Sequence, residues 1–151
     1  MEKIRGASTQ EVRKTLQERF RETLRGFNGT STYWHRGRIF YTDGVKYLIK
    51  EGEAHWLLNV VHSYVPKVLQ KMKRNGLREH LVVLEVEGTE GVFKIYDSKG
   101  SGDGVYVTQN ISYTDFPLDN IRLVIGPKIS SPVIQSIDDL EGIVVSLPSE
   151  N

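Results

Sequence analysis

The residues in this chain that could carry out chemistry are two aspartates in a repeated motif and one histidine. The tripeptide Tyr-Thr-Asp occurs at 41–43 and again at 113–115. If these turns meet in a concave pocket, Asp43, Asp115 and His35 could transfer protons for an enzyme that acts on a nucleotide or another small substrate. Such carboxylates can equally cap a helix or fix a turn through local amides. Catalysis therefore requires at least two of the three within hydrogen-bond reach.

No other catalytic or metal-binding pattern is recognisable in the sequence. There is no cysteine, and the four histidines show neither HExxH nor HxH spacing. The Gly-rich segment 98–104 does not match the phosphate-binding pattern GxxxxGK[ST], so we interpret it as a connection between strands. We expect no cofactor and no metal ion.

A second group of residues could bind a partner. In segment 30–38 the aromatic Tyr33 and Trp34 stand beside Arg36 and Arg38. Aromatic rings interleaved with arginine can stack bases and hold phosphates. The same pattern is also typical of an extended strand whose aromatic rings pack while its arginines face water.

The most cationic stretch covers residues 65–80, which we predict to form a short basic helix that ends near residue 74. The basic residues that we single out there are Lys67, Lys71, Lys73 and Arg74. Clustered lysine and arginine can dock on a phosphate backbone or on an acidic protein. A solvated helix face is the alternative interpretation.

The charge of the chain is divided between its halves. The net charge of the 151 residues is +1, but residues 1–84 carry a balance of +8 and residues 85–151 a balance of −7. This asymmetry indicates a nucleic-acid or acidic-protein surface on the basic side, unless the two halves interleave their charges on one surface.

Neither a secretory signal nor a membrane span is visible in the sequence. The N-terminus lacks the apolar core of a signal peptide. No apolar run approaches the roughly 20 residues that a membrane span needs. We therefore expect a cytoplasmic protein with no membrane partner.

Hydrophobic periodicity predicts helices first and strands afterwards. An apolar stripe recurs every four residues in a predicted helix over 9–25, and two further helices over 44–50 and 53–64 meet at a bend. From residue 80 the period changes to two, which indicates five strands in succession.

This order predicts an α+β fold, with the N-terminal helices packed on one face of a mostly antiparallel sheet of about five strands. We expect one domain over 1–151. It comprises an N-terminal helix (1–26), a helical core with the basic segment (27–79) and a strand-rich half (80–151).

Several short motifs carry a family resemblance. They are FNGTSTYW at 27–34, YTDGVKYL at 41–48, WLL at 56–58, YTDFPL at 113–118 and LPSE at 147–150. With these the chain resembles a family of uncharacterised bacterial proteins, known as a domain of unknown function and also found in phage- and plasmid-like contexts. The resemblance runs from about Phe27 onward, so we interpret the N-terminal helix as an addition. Within the matching stretch, we also interpret the basic segment 65–79 as an addition.

The resemblance implies no activity, but it implies a set of scaffold residues. These residues are Tyr41, Asp43, Tyr47, Trp56, Tyr113, Asp115 and Phe116. Asp43 would cap a helix, Asp115 would fix a turn, and the aromatic residues would supply core.

Three functions remain open from the sequence. The first is a non-enzymatic binding module that uses its basic half on nucleic acid or on an acidic protein, for example as a phage-encoded inhibitor of a host defence complex. It requires Arg36, Arg38 and the four cations of segment 65–80 to share one face. The second is the small enzyme described above, and the third is a structural homo-oligomer that pairs through an exposed sheet edge or the N-terminal stripe.

Overall fold

The computed structural model describes residues 9–30, 32–98, 104–129 and 140–150. The helices are α1 (Thr9–Arg25), α2 (Asp43–Glu51), α3 (His55–Ser63) and α4 (Val65–Asn75). The strands are β1 (Trp34–Arg36), β2 (Ile39–Tyr41), β3 (His80–Glu87), β4 (Glu90–Tyr96), β5 (Val105–Ile111), β6 (Asn120–Ile129) and β7 (Leu140–Ser146), and a 3₁₀ turn follows at Pro148–Glu150. Most of the connection predicted at 98–104 lies outside the described residues. None of the helices described is both long and apolar enough to cross a membrane.

The strands form one sheet in the order β1-β2-β7-β6-β3-β4-β5. Neighbouring strands are antiparallel except β2 and β7, which are parallel. The α+β class and the mostly antiparallel sheet are confirmed, but the sheet has seven strands because segment 34–41 folds into a hairpin. Gly37 lies in the hairpin turn with φ +58°, a left-handed conformation that favours glycine. A Cβ at this position would also lie 2.7 Å from His62 Nε2.

Alternate residues of the strands build the core beneath the helices. Val82 and Leu84 of β3 and Phe93 and Ile95 of β4 are fully buried in one cluster with the apolar residues of α2, α3 and α4. Because side chains at positions i and i+2 lie on the same side of a strand, this pattern places the helices against one face of the sheet.

Only part of the predicted stripe on α1 reaches this core. Leu24 is 5% exposed and Phe20 packs against the core, whereas Leu16 is 59% exposed. The periodicity therefore predicts the helix correctly, but it does not predict how much of the helix the rest of the chain covers.

Two of the family-like motifs, YTDG at 41–44 and LPSE at 147–150, meet at the start of α2. The Glu150 carboxylate accepts hydrogen bonds from the Gly44 amide at 3.0 Å, the Leu147 amide at 3.0 Å and the Thr42 hydroxyl at 2.5 Å. Thr42 is the N-cap residue, and its Oγ1 accepts from the Val45 amide at 3.4 Å. An anion beside the free amides of a helix N-terminus is stabilising. The YTDG and LPSE segments thus form one structural unit.

Replacement of Glu150 by alanine should lower the free energy of unfolding by about 1–2 kcal/mol, because the Gly44 and Leu147 amides lose their acceptor. Gly44→Ala should also destabilise the protein, since its Cβ would lie 2.6 Å from Leu147 Cδ1 and 2.7 Å from Glu150 Oε1. Urea unfolding measures both. Glu22→Ala, at an exposed position of α1, is the matched control and should change stability little. Equal effects of Glu150→Ala and Glu22→Ala would contradict the capping role.

Candidate binding surface

Threonine is the structural residue of the repeated Tyr-Thr-Asp motif. Thr42 and Thr114 are 3% and 4% exposed. Thr42 caps α2, and Thr114 Oγ1 accepts a hydrogen bond from the Phe116 amide at 3.1 Å. The sequence-based assignment of these roles to Asp43 and Asp115 is therefore wrong. A hydroxyl and a carboxylate accept the same local amides, so the motif alone does not distinguish between them.

The two repeats lie at opposite ends of α2. Asp43 is the first residue of α2, whereas Phe116 lies beside Gly52, which caps the other end, and packs edge-on against the Trp56 ring with centroids 6.3 Å apart. A helix of nine residues rises about 12 Å. Asp43 and Asp115 are therefore not brought together in one site.

The second repeat borders an open groove of about 610 Å³ between α1, the end of α2 and the turn before β4. Asp115 is exposed and lines this groove together with Tyr47, whose ring contacts Phe20 and Phe27 at centroid distances of 5.8 and 5.5 Å. Tyr113 is 70% exposed and is not part of the core, contrary to our expectation. The half-buried aromatic residues that do pack on the core include Tyr41, Tyr47 and Trp56. Within the described ranges, no three acidic, histidine or cysteine side chains group as metal ligands.

The clearest exposed aromatic feature is Trp34 on the β1–β2 hairpin. Its indole N–H donates to Asp43 Oδ1 at 3.1 Å, and Lys46 Nζ lies 2.9 Å from the ring centroid. Trp34 still exposes 37% of its surface, and the neighbouring Tyr33 exposes 52%. Sequence reasoning missed Lys46. The spacing of three between Asp43 and Lys46 could have indicated it, because residues at i and i+3 lie on one side of a helix.

The opposite face of the hairpin carries a second aromatic–cation contact. His35 packs on Phe40 with ring centroids 5.7 Å apart, and Lys128 Nζ lies 5.3 Å from the Phe40 centroid. Successive residues of a strand point to opposite faces, so Trp34 and Arg36 share the other face. His35 therefore points away from the aspartate that binds Trp34.

The predicted basic helix, α4, packs against β7 and reaches β5, at the opposite edge of the sheet, through side-chain contacts. Near its start, the Tyr64 hydroxyl donates to Gln109 Oε1 of β5 at 2.7 Å. Further along, Lys71 Nζ lies 5.5 Å from the centroid of the Tyr106 ring, also in β5, and 3.9 Å from Asp97 Oδ2. These contacts place α4 beside the edge strand β5.

The six predicted cations consequently do not share one face. Arg36 and Arg38 belong to the β1–β2 hairpin, and Lys71 lies beside β5, six strand intervals away across the sheet. At about 4.8 Å per interval, this separation is about 29 Å. Lys73 lies on the opposite side of α4 from Lys71, since two residues advance a helix by about 200°. The structure divides the predicted surface into a hairpin group and an α4 group.

A buried histidine–tyrosine pair lies beneath α4. His80 is fully buried, and its Nδ1 lies 2.7 Å from the hydroxyl of Tyr106, which stands at a β-bulge. Burial lowers the pKa of His80 from 6.5 to about 4, because the charged ring would lose its hydration; Asp97 opposes this shift, and Arg78 and Lys71 reinforce it. Burial likewise raises the pKa of Tyr106. The pair is therefore neutral at pH 7.

Comparison with known families places the chain in one of them. A model of the family of unknown function DUF6876 matches residues 18–151, so the chain belongs to this family. The match begins inside α1 and includes residues 65–79, which we had interpreted as additions. No curated protein and no solved structure matches the chain.

Acid should destabilise the protein through His80. The unfolded chain binds a proton on this residue below pH 6.5, while the folded chain does so only near pH 4, so stability rises with pH across this window. The contribution of His80 should fall by about 2 kcal/mol between pH 7 and pH 5. Urea unfolding across this range tests it. His80→Gln should flatten the pH dependence, whereas His55→Gln, at an exposed position of α3, should not. Identical pH profiles for the parent protein and His80→Gln would contradict the assignment.

Proposed function

We propose that this protein is a non-enzymatic binding module, and that it binds single-stranded nucleic acid on the β1–β2 hairpin. The observation that carries the proposal is the exposed Trp34 ring, which is held in place by a hydrogen bond to Asp43 and by the Lys46 ammonium group. An aromatic ring that is ordered before binding loses little conformational freedom when a base stacks on it.

The neighbours of Trp34 suit such a ligand. Tyr33 is the more exposed aromatic residue and supplies a second stacking surface. Arg36 is exposed and lies two residues along the same strand, on the same face as Trp34. Lys46 places a positive charge over one face of the Trp34 ring, so a base would stack on the other face. Aromatic surfaces next to cations are typical of proteins that bind single strands, in which the faces of the bases are accessible.

The enzyme hypothesis has weaker support. Asp43 is engaged by Trp34 at the start of α2, Asp115 lies near the other end of that helix, and His35 packs on Phe40. The condition that two of these three groups act together on a substrate is not supported by this arrangement.

The proposal of a non-enzymatic binding module includes two further points. The protein would originate in a phage or mobile element, and it would act in the cytoplasm.

Short single-stranded DNA and RNA should bind the hairpin, and Trp34→Ala should weaken binding about tenfold or more, because it removes a stacking surface. Arg36→Glu should weaken binding and reduce its salt dependence, since fewer phosphates are neutralised. Fluorescence anisotropy at several salt concentrations measures both effects. Tyr33→Ala is a second test at a residue that is 52% exposed.

The matched control is Lys73→Glu, which makes the same change in net charge as Arg36→Glu at an exposed position of α4. This variant should lose only the small affinity that a change in net charge removes. If it weakened binding more than Trp34→Ala and Arg36→Glu, the hairpin would not be the binding surface. Binding of neither DNA nor RNA at physiological salt would overturn the proposed function.

A further inference from the structure

The two edges of the sheet differ in how they discourage another strand from pairing. The edge strand β1 has only three residues, Trp34–Arg36, and carries His35 and Arg36. Short, charged edge strands are a common protection against unwanted pairing. β5, at the other edge, has seven residues, VYVTQNI, with no charged residue, proline or glycine. Apart from the bulge at Tyr106, its sequence contains none of these protections.

No other strand in the described part of the chain pairs with the outer side of β5. Val105 is 47% exposed, and Thr108 and Asn110 are also exposed. An edge of this length presents backbone amide and carbonyl groups that an extended segment of another chain can pair with. β-Branched residues with no net charge favour such pairing.

A stripe of cations lies on the side of α4 that contacts β5 through Lys71. Lys67, Lys71 and Arg74 are spaced by four and three residues, so they lie on one side of α4. Lys71 identifies this side as the one next to β5, through its contacts with Tyr106 and Asp97. Lys67 lies one turn before Lys71 and Arg74 lies one turn after it, and both are exposed.

We propose that β5 is a docking site for an extended, acidic segment of a protein partner. The segment would extend the sheet by pairing its backbone with β5, and its carboxylates on the helix side would lie near Lys67 and Arg74. Backbone pairing supplies affinity without regard to sequence, and the cation stripe supplies selectivity for acidic side chains.

The charges of α4 favour this partner over a second copy of the chain. Antiparallel pairing of two β5 strands about a two-fold axis would place both α4 helices on the same face, next to each other. Lys67, Lys71 and Arg74 would then approach the same cations of the second copy. Like charges in this arrangement disfavour the dimer, whereas an acidic strand neutralises them.

The test uses the full chain and fluorescein-labelled octapeptides of alternating valine and glutamate. The acidic peptide should bind in an anisotropy titration, and a matched peptide of alternating valine and lysine should bind at least about tenfold more weakly. Hydrogen exchange of the β5 amides should slow when the acidic peptide binds, because those that face outward gain acceptors.

Two N-methylated versions of the acidic peptide test the backbone pairing. An extended chain directs the N–H groups of alternate residues to one edge, so methylation of only one alternate set removes donors that face β5. One version should therefore lose binding while the other keeps it. If both bind as well as the unmodified peptide, strand pairing is excluded.

Charge variants complete the test. Lys67→Glu/Arg74→Glu should weaken acidic-peptide binding about five- to tenfold. Lys50→Glu/Lys73→Glu is the matched control, since it makes the same change in net charge at exposed positions away from the stripe. Equal losses in both variants would overturn the proposal. So would a dimer in analytical ultracentrifugation with protected β5 amides, or protection of β5 by single-stranded DNA and not by the peptide.

Discussion

The fold depends on how the backbone amides at the buried N-terminus of α2 obtain hydrogen-bond acceptors. Gly44 and Val45 are both buried at this point, so their amides cannot donate hydrogen bonds to water. The chain meets this requirement with Thr42 from one motif and Glu150 from another, more than a hundred residues away. Because Glu150 also accepts the Leu147 amide, the same carboxylate positions the end of β7. The parallel pairing of β2 with β7 brings these two segments together.

The position of α2 also determines where the rest of the molecule is exposed. Its first residue, Asp43, binds the indole of Trp34 and so orders the hairpin at one edge of the sheet. Its other end supports Phe116 at the bend before α3, and through Phe116 the loop that follows β5. One short helix thus connects the exposed hairpin with the loop that carries the second Tyr-Thr-Asp motif. The two copies of the motif therefore support one scaffold and lie too far apart to form one reaction centre.

The sheet separates two surfaces that differ in chemistry. The β1–β2 hairpin combines exposed aromatic rings with arginine and lysine, which suits bases and phosphates. The β5 edge combines free backbone with a row of cations on α4, which suits an acidic extended chain. The buried His80–Tyr106 pair joins β3 to the edge strand β5, and burial favours the neutral imidazole. The two proposed surfaces lie at different edges of the sheet, so one ligand would not block the other.

The sequence by itself determined the local elements and the fold class. Helical periodicity predicted α1 to α4 closely, and the change to a period of two predicted β3 to β7, because both patterns reflect which side chains each element buries. It also identified Trp34 and Arg36 as binding candidates, and the resemblance to a family of unknown function agrees with the family model that matches the chain. For the hairpin, the sequence offered an extended strand over 30–38 as one interpretation but did not predict β2 or its pairing with β1, since three residues are too few to show a period.

Only the tertiary structure decided which residues act together. Glu150 and Gly44 are far apart in the chain, and Lys46 meets Trp34 through the packing of α2 on the hairpin. The cations of segments 30–38 and 65–80 belong to the same basic half of the chain, but they lie on different elements toward opposite edges of the sheet, because strand order is not chain order. Long-range neighbours of this kind depend on how the hydrophobic faces of all the elements pack, and a local pattern of residues does not contain that information.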